Sequence, residues 1–308
     1  MISLAMPTYN GEKYLREQLD SIYAQTMIPD EIVVVDDCSK DRTIEILEEY
    51  HQRYGLKYYQ NEHNLGYNKN FEKAISLCSG DYIALCDQDD YWFPEKIEVS
   101  FRYISKYPES EPSLVSSFSI NADENLKPFP GIYHDSQGGD WRLNLTRYNS
   151  QGCTLMMNRA LVERILPIPD EIIYDAYIGL TAALTGNRYY INQDLMFYRL
   201  YGNNSLATDR PAAPLDFSSR WKRLRAYVPF WYEKDAMYRF LHIMKKYQSE
   251  HFIPERVEVM NKVIRIFEVG ILRRLFLFLS LDGPDFYLKT KVSTCLLLKM
   301  IFFIKDEY

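Results

Sequence analysis

Three aspartates follow directly on an apolar stretch in the segment YIALCDQDDYWF; they are Asp87, Asp89 and Asp90. Carboxylates this close in sequence repel one another, so such a group either has raised pKa values or holds a cation. Mg²⁺ and Mn²⁺ prefer oxygen ligands and commonly bridge a few carboxylates to the phosphates of a substrate. An Asp-x-Asp pattern alone is a weak signal, so its meaning depends on where the fold places it.

A second acidic pair ends the segment EIVVVDD, in which Asp36 and Asp37 follow a run of β-branched residues. Aspartates at such positions often do no more than cap the next helix. Two such groups are harder to explain in this way, because neighbouring parallel strands end at one edge of a sheet, where open α/β sheets bind ligands. We therefore expect both acidic groups to line one cleft.

Apolar runs that alternate with segments of helical periodicity predict the elements that would position these acids. The predicted strands are residues 2–6, ended by Pro7, and the segments EIVVVDD, LKYYQN, DYIALCD and SLVSSFSI; one or two further strands are predicted in RYYINQDLMFYR. The predicted helices are GEKYLREQLDSIYAQT with Asn10 as N-cap, DRTIEILEEYHQRY, NKNFEKAISLCSG ending at Gly80, and DAYIGLTAALTG ending at Gly186. Continuous apolar runs, rather than strict alternation, predict an α/β fold with a mostly parallel sheet flanked by helices.

Charge divides the chain of 308 residues into two parts. Residues 211–308 contain 17 Lys and Arg against 11 Asp and Glu, a net of +6, which leaves −12 for residues 1–210 of the chain's total of −6. The acidic part suits divalent cations and argues against nucleic acid as a partner. We predict a catalytic domain at residues 1–210 and a helical C-terminal extension at residues 211–308.

Cysteine usage and apolar runs predict the compartment. Five scattered cysteines without a Cys-x-x-Cys pair argue against a disulfide framework and a structural zinc site. The N-terminal segment lacks a signal-peptide pattern, and the run CLLLKMIFFI is too short to span a bilayer. We expect a cytoplasmic protein. Apolar and basic helices in the tail predict a peripheral contact at the inner face of the plasma membrane, a subdomain packed on the core, or a homo-oligomer contact.

The usual phosphate cradles are missing from the sequence. No Gly-x-Gly-x-x-Gly follows the first strand, and no Gly-x-x-x-x-Gly-Lys-Ser/Thr occurs anywhere. The sequence therefore lacks the phosphate-binding motifs that are typical of dinucleotide-dependent oxidoreductases and of P-loop NTP hydrolases, which argues against both classes. Phosphates held by a metal ion are left as the alternative, which indicates a nucleoside diphosphate carried as a leaving group.

Four segments together resemble the inverting family-two glycosyltransferases, which have the nucleotide-sugar-binding GT-A fold. The segments are AMPTYNGEKYLREQLDSIYAQT, EIVVVDDCSKDRT, NEHNLGYNKNFEKAI and DYIALCDQDDYWFPEKI. With GCTLMMNRAL and YDAYIGLTAALTG, the chain is most similar to the rhamnosyltransferase-type branch that builds bacterial surface polysaccharides. The resemblance covers about the first 205 residues and is specific as a set, although no single segment is.

The resemblance implies a role for each matching residue. The implied donor-binding residues are Pro7, Thr8, Tyr9, Glu12, Asp36, Asp37, Asn64, Gly66, Asn70, Asp87, Asp89 and Asp90. Asp89, with Asp87, would hold a divalent cation, Mg²⁺ or Mn²⁺. The general base would be Asp175, for which a helix cap is the simpler explanation without the resemblance. The implied sugar and acceptor pocket comprises Trp92, Gly152, Cys153 and Tyr174. Because no base lies next to Cys153 in the sequence, a buried structural thiol is favoured over a nucleophile there.

Two positions depart from the family pattern. Members commonly have His before the base, where this chain has Tyr174, and a metal-binding His near the end of the domain, where it has Tyr201. A neutral imidazole is a common metal ligand and an un-ionised phenol a poor one. We therefore expect a metal ion held more weakly, or by Asp89 and phosphates alone.

Three functional hypotheses follow from the resemblance. The first is transfer of a sugar, preferably L-rhamnose from dTDP-rhamnose, to a bacterial polysaccharide or lipid-linked glycan. The second is a UDP-sugar transferase for glucose, galactose or an N-acetylhexosamine. The third is a catalytically weak protein that binds nucleotide sugars or acts as a scaffold.

Overall fold

The computed structural model describes residues 1–129, 141–145, 151–202 and 229–268. Within these residues the chain forms one eight-stranded sheet with helices on both faces. The strands are β1 Ile2–Thr8, β2 Glu31–Asp36, β3 Lys57–Gln60, β4 Tyr82–Leu85, β5 Tyr91–Trp92, β6 Ser113–Ala122, β7 Leu155–Asn158 and β8 Asn187–Arg199. The α-helices are α1 Leu15–Tyr23, α2 Thr43–Tyr54, α3 Gly66–Leu77, α4 Lys96–Ile104, α5 Arg159–Ile165, α6 Tyr174–Thr185, α7 Pro229–Gln248 and α8 Pro254–Glu268.

The sheet has the strand order β3-β2-β1-β4-β7-β6-β8-β5. Its first half, β3-β2-β1-β4, is parallel throughout, as predicted. The second half is mixed, because β7 runs antiparallel to both β4 and β6, while β8 is parallel to β6 and antiparallel to β5. The predicted α/β fold with a mostly parallel sheet is therefore confirmed, with the antiparallel pairs as the feature that the sequence patterns did not indicate.

The two faces of the sheet carry separate hydrophobic cores. On one face α1, α2 and α4 contribute residues such as Leu19, Leu47 and Ile97. On the other face α3, α5 and α6 contribute residues such as Ile75 and Leu161. Strand β2 is buried along its whole length, which explains its unbroken apolar run. The strands are thereby fixed between two layers, and the carboxyl ends of the parallel strands β1 to β4 lie at one edge.

Helices α7 and α8 pack on the side of the sheet that α6 covers. Leu241 and Met244 of α7 and Met260 and Val263 of α8 join the same core as α6. The predicted packing of a helical segment on the core is thus observed for residues 229–268. The predicted boundary at residue 210 and residues 269–308, on which the membrane and oligomer hypotheses largely depend, lie outside the described residues. None of the described helices is long and apolar enough to cross a membrane.

Several predicted boundaries were wrong. Strand β1 continues through Pro7 to Thr8 instead of ending before it, and α1 begins at Leu15. Asn10 is not its N-cap, because Asn10 takes a φ of +48° and its side-chain oxygen accepts a hydrogen bond from the N–H of Lys40. The sequence patterns also missed β5, β7, α4 and α5, which are 2, 4, 9 and 7 residues long. The predicted end of α6 at Gly186 is confirmed.

Helix α3 ends at Leu77, three residues before the predicted end at Gly80. Gly80 instead passes close to the first strand, and a Cβ there would come within 2.8 Å of the Ser3 nitrogen. The glycine is therefore required by a close backbone approach rather than by a helix end.

Candidate active site

The loop after β4 gathers Asp87, Asp89 and Asp90 at the carboxyl edge of the sheet. Asp90 is fully buried, whereas Asp87 and Asp89 are partly exposed. The Oδ1 of Asp90 accepts a hydrogen bond from the Arg199 N–H at 3.2 Å, and its Oδ2 is sealed from solvent without a hydrogen bond of normal geometry in the described structure. The loop therefore buries a carboxylate oxygen that is poorly compensated, an arrangement that is costly unless a proton or cation is supplied.

Burial and mutual repulsion raise the pKa values of this group. Burial raises the pKa of Asp87 to about 7, and the negative charges of Asp89 and Asp175 act in the same direction, opposed by a hydrogen bond from Cys153. The pKa of Asp89 is raised by burial, and that of Asp90 is raised by burial and by its two neighbours. The three carboxylates thus behave as one crowded acidic cluster, called the Asp87–Asp90 cluster below.

Nearby polar groups compensate only part of this charge. The Tyr201 hydroxyl donates a 2.7 Å hydrogen bond to Oδ2 of Asp89. Arg199 is buried, but its guanidinium donates to the backbone oxygens of Asp89 and Glu124 and to the carboxylate of Glu17. Tyr201 therefore contacts the Asp89 side chain, whereas Arg199 contacts the Asp90 side chain through its backbone N–H and the loop through its guanidinium.

A buried lysine lies below the cluster. Lys96, at the start of α4, is 3% exposed, and its ammonium nitrogen lies 4.6 Å from the centre of the Trp92 ring. Burial lowers the pKa of Lys96 to about 8, while Cys153, Cys86 and Asp90 act in the opposite direction. The sequence patterns gave no signal for this residue, because a lysine beginning an amphipathic helix is normally solvated.

Asp37, at the end of β2, organises the start of α3. Its Oδ1 accepts hydrogen bonds from the Leu65 N–H and the Asn61 amide, both at 2.7 Å, and its Oδ2 accepts one from the Gly66 N–H at 2.9 Å. Gly66 has a φ of +78°, a conformation that favours glycine. Asp37 is 2% exposed, so its carboxylate is committed to holding this loop.

The predicted donor residues Asn64 and Asn70 lie in different surroundings. Asn70 is buried, where its amide donates to the Val35 oxygen at 2.9 Å and its oxygen accepts from Asn61 at 3.0 Å. Asn64 is exposed, and its amide donates to the Asp37 backbone oxygen. Asn70 therefore supports the edge from below, whereas Asn64 lies at the rim; their contacts with a nucleotide remain predictions.

Asp36 and the end of β1 form a second buried connection. The Asp36 carboxylate accepts hydrogen bonds from the Thr8 hydroxyl at 3.1 Å and from the Ser39 N–H at 2.9 Å. Asp36 and Thr8 are both buried, and Pro7 beside them is partly exposed. This part of the predicted nucleoside site is thus a rigid floor.

Gln88 joins the loops after β1 and β4. Its side-chain amide accepts from the Tyr9 N–H at 2.9 Å and donates to the Tyr9 oxygen at 3.1 Å. A Cβ at Gly11 would lie 2.5 Å from the Gln88 oxygen, so the glycine makes room for this bridge. Tyr9 is 49% exposed, so its ring is accessible to a ligand. The carboxylate of Glu12, close by in sequence, accepts a hydrogen bond from the Arg42 N–H at 3.0 Å. The sequence patterns did not single out Gln88.

Asp175 lies in the first turn of α6, which belongs to the hydrophobic core shared with α3 and α5. It is 5% exposed, its Oδ1 accepts from the Ala176 N–H at 2.9 Å, and its charge acts on Asp87. Tyr174 before it stacks on Phe71 with ring centres 4.0 Å apart. A Cβ at Gly152 would come within 1.8 Å of the Tyr174 hydroxyl, so glycine lets that tyrosine approach. The fold therefore brings the predicted base beside the predicted donor-binding acids.

Two predicted pocket residues lie in the core. Trp92 is 1% exposed and Cys153 is fully buried, so neither side chain reaches solvent in this structure. Burial raises the pKa of the Cys153 thiol well above its usual value, and the Asp90 and Asp87 charges add to this, which keeps the thiol neutral. The structural role considered for Cys153 is the one that its surroundings favour.

The acidic edge also offers ligands for a cation. The ligand atoms of Asp87, Asp90 and Cys153 all lie within 4.8 Å of one another. Carboxylate oxygens suit Mg²⁺ or Mn²⁺, whereas a neutral buried thiol is a poor ligand for either. The crowded carboxylates and the poorly bonded Asp90 oxygen are therefore consistent with a hard cation at this edge. Whether Asp89 is one of its ligands, as predicted, remains open to test, because Tyr201 already occupies one of its oxygens.

Known proteins have sequences similar to that of this chain. The dTDP-rhamnosyl transferase RfbG of Shigella flexneri is 26% identical over 251 residues, which cover 75% of this chain and 82% of that protein. Other relatives, from mycobacteria, are 29% identical over 222 residues, and the match spans 62% of their length.

Solved structures share the fold. Staphylococcus aureus TarS 1-349 in complex with UDP-GlcNAc superposes with a TM-score of 0.56 at 21% identity, covering 80% of this chain and 73% of that chain. The mannosyltransferase PcManGT of Pyrobaculum calidifontis, in complex with GDP-Man and Mn²⁺, superposes with a TM-score of 0.57 at 15% identity, covering 96% and 80%. At these identities the likeness establishes the GT-A fold alone.

The family follows from the sequence match. Residues 3–165, just over half of the chain, match the family described as Glycosyl transferase family 2. The matched region runs from β1 through α5 and includes the Asp36–Asp37 pair and the Asp87–Asp90 cluster. This chain therefore belongs to glycosyl transferase family 2.

Proposed function

We propose that the protein is an inverting glycosyltransferase that moves a sugar from a nucleotide-sugar donor to a glycan acceptor. One observation carries the proposal: Asp175, on α6, lies within electrostatic reach of Asp87 in the cluster after β4. Two elements almost 90 residues apart in sequence thus bring carboxylates of different surroundings to one sheet edge. Family membership and the GT-A fold agree with this chemistry.

The residues suggest a division of labour. Asp175 would accept the proton of the acceptor hydroxyl as that oxygen attacks the anomeric carbon from the side opposite the leaving diphosphate. A positioned base of this kind contributes about 10²–10⁴-fold to the rate. A single displacement needs no second carboxylate as nucleophile, in contrast to a retaining glycosidase. The exposed ring of Tyr9 and the rim residue Asn64 would meet the nucleoside.

Asp87 and Asp89 would hold the divalent cation, Mg²⁺ or Mn²⁺. When bound, the cation supplies positive charge against the negative charge that grows on the leaving diphosphate. The chain's own residues set the conditions for this: the Asp87–Asp90 cluster concentrates negative charge, and Tyr201 and Arg199 fix its geometry. The Mn²⁺ complex of the archaeal mannosyltransferase supports the assignment by analogy of fold.

For the donor, dTDP-L-rhamnose is our first choice. The supporting observation is the similarity to RfbG over three quarters of the chain. The TarS complex with UDP-GlcNAc supports a UDP-sugar donor as the second candidate. A bacterial polysaccharide or lipid-linked glycan would be the acceptor in either case.

The experiment that tests the function measures donor binding and base catalysis separately. Thermal unfolding is followed with dTDP-rhamnose and with UDP-GlcNAc, each with Mn²⁺ or with EDTA, because a ligand of the folded state raises the melting temperature. Release of nucleoside diphosphate, with water as the acceptor, is then compared for wild type and Asp175→Asn.

We expect a Mn²⁺-dependent shift with one donor, and at least a ~10²-fold slower release by Asp175→Asn with that shift unchanged. Retention of the wild-type rate by Asp175→Asn would refute the base assignment. Absence of any shift with either donor would count against donor binding and favour the scaffold hypothesis.

A further inference from the structure

We propose that Asn68 is a positioning residue that sets the place of Asp175 from the donor-binding side of the sheet. This inference rests on the proposed function, because it concerns the alignment of the proposed base. Asn68 lies in the first turn of α3, and Asp175 lies in the first turn of α6, 107 positions later. One side chain connects the two turns directly.

The carboxamide of Asn68 holds the backbone just before Asp175 at two points. Its Oδ1 accepts a 2.6 Å hydrogen bond from the Tyr174 N–H, and its Nδ2 donates a 3.0 Å hydrogen bond to the Ile172 oxygen. Both backbone groups lie within three residues of Asp175. Only an amide side chain offers a donor and an acceptor side by side in this way, since a carboxylate lacks the donor and a hydroxyl is shorter. Asn68 therefore fixes both the position and the direction of the turn that starts α6.

The N-cap residue of helix α6 supplies no side-chain cap of its own. That residue is Ile173, which makes no side-chain hydrogen bond to the helix. The first N–H groups of a helix need partners from elsewhere, and Asn68 supplies one to the first residue of the helix, Tyr174. The ring of Tyr174 also stacks on that of Phe71, another residue of α3, which adds a second contact between the two helices. The start of α6 is thus placed by α3 rather than by its own sequence.

The start of α3 is itself tied to the donor edge. Asp37 accepts hydrogen bonds from the N–H groups of Leu65 and Gly66, three and two residues before Asn68. A continuous set of hydrogen bonds therefore leads from the end of β2, through the first turn of α3, to the residue before the proposed base. Any shift of the donor-side loop would be transmitted to Asp175 through Asn68.

The chain offers a matched control one residue away. Lys69 also fastens α3 to the segment before α6, through a 2.7 Å hydrogen bond from its ammonium group to the Ile168 oxygen. That contact lies seven residues before Asp175 and also involves Asp170 and Glu72. Loss of the Lys69 contact would loosen the same segment without releasing the turn at Tyr174, so it separates general fastening from positioning.

The test compares Asn68→Ala, Asn68→Asp and Lys69→Met with wild type and with Asp175→Asn. Alanine is a strong helix former, and Asn68 is partly exposed, so α3 should persist in Asn68→Ala. Two quantities are measured with Mn²⁺: the dissociation constant of the donor that stabilises the wild type, dTDP-rhamnose or UDP-GlcNAc, and the rate of nucleoside diphosphate release from it at saturation.

We expect Asn68→Ala to lower the saturated rate about 10–100-fold, because a misplacement of about 1 Å can cost ~10² in rate, while the donor dissociation constant changes less than about 3-fold. Asn68→Asp keeps the acceptor for the Tyr174 N–H and should recover part of the loss. Lys69→Met should retain at least about half of the wild-type rate.

Two results would overturn the inference. One is a wild-type rate in Asn68→Ala while Asp175→Asn is inactive, which would leave the proposed function standing without a positioning role. The other is a parallel loss of rate, donor affinity and melting temperature in both Asn68→Ala and Lys69→Met, which would show general loosening. Failure of the proposed function itself is distinct, because it appears as full activity in Asp175→Asn.

Discussion

The two acidic groups at the carboxyl edge of the sheet look alike in sequence and differ in surroundings. Asp37, after β2, accepts three hydrogen bonds from Asn61, Leu65 and Gly66. Asp90, after β4, is equally buried but has one carboxylate oxygen without a hydrogen bond of normal geometry in the described structure. The first group is satisfied by the protein alone, whereas the second is left in need of positive charge.

This difference separates structural from chemical roles. A carboxylate that accepts several N–H bonds holds a loop and gains little from a ligand. Crowded carboxylates with raised pKa values lower the stability of the folded protein and persist where they bind or react. We therefore propose loop organisation for the Asp36–Asp37 pair and ligand binding for the Asp87–Asp90 cluster, and substitutions test each proposal.

The largest expected effect comes from neutralising one member of each group. Asp89→Asn should lower nucleoside diphosphate release at least ~10³-fold, with the unfolding free energy unchanged or raised, because like-charge repulsion is relieved. Asp37→Asn should lower the unfolding free energy by about 1–3 kcal/mol through the lost charge-assisted hydrogen bonds. Urea unfolding and donor turnover on both variants check this. A destabilised Asp89→Asn with a stable Asp37→Asn would reverse the assignment.

A second contrast concerns pH. Burial opposes ionisation of Glu31 at the start of β2, but hydrogen bonds from Lys57, Ser3 and Ser79 outweigh it and lower its pKa to about 2 from 4.5. Asp87 has the opposite shift, because burial raises its pKa to about 7 from 3.8. The ionised Glu31 therefore stabilises the fold above pH 4.5, and this stability is lost as the pH falls towards 2. Folded Asp87 keeps a proton that the unfolded chain has released above pH 3.8, so stability falls as the pH rises from about 4 to 7.

In EDTA, the wild type should accordingly lose on the order of 2 kcal/mol of unfolding free energy between pH 5 and pH 8 through Asp87. Asp87→Asn should remove the Asp87 contribution and leave the part of the loss that comes from Asp89 and Asp90, whose pKa values burial also raises. Glu31→Gln should lower stability at both pH values and leave the difference between them intact. Urea titrations at the two pH values decide this. An unchanged pH 5 to pH 8 difference in Asp87→Asn would show that the crowding of the cluster is relieved in another way.

The sequence predicted the parts of this arrangement that depend on local patterns. The parallel strands and both acidic groups could be predicted from the sequence because each group of aspartates follows directly on an apolar run. Strand β7 was missed because its four residues lie between a 3₁₀ turn and a short helix and offer no period to detect. Trp92 was expected in a pocket and lies in the core, since an aromatic residue beside acids gives no indication of the direction in which its ring points.

The supporting residues were beyond the reach of local patterns. Gln88 bonds the backbone of Tyr9, and Asn68 bonds the backbone of Tyr174, at separations of 79 and 106 residues. Neither contact leaves a periodic signal, because one amide side chain and two backbone groups are sufficient. The sequence can therefore indicate which residues do the chemistry, while the residues that hold them become visible only when distant segments are seen together.

The smallest change that we predict concerns the hydrogen bond between Tyr201 and Asp89 and its effect on Mn²⁺ affinity. The hydroxyl of Tyr201 occupies Oδ2 of Asp89 at 2.7 Å, and burial and the Asp89 charge raise the tyrosine pKa, so this phenol stays a neutral donor. A cation that uses Asp89 must share or displace that hydrogen bond. Tyr201→Phe should therefore tighten Mn²⁺ binding about 3–10-fold, the equivalent of roughly one neutral hydrogen bond.

Tyr14→Phe is the matched control, because the Tyr14 ring lies 4.9 Å from that of Tyr201, while in the described structure Asp89 accepts its hydrogen bond from Tyr201 and not from Tyr14. Mn²⁺ titrations by calorimetry separate the outcomes: tighter binding in Tyr201→Phe alone identifies Asp89 as a cation ligand, whereas weaker binding would mean that the phenol holds Asp89 in place for the metal rather than competing with it.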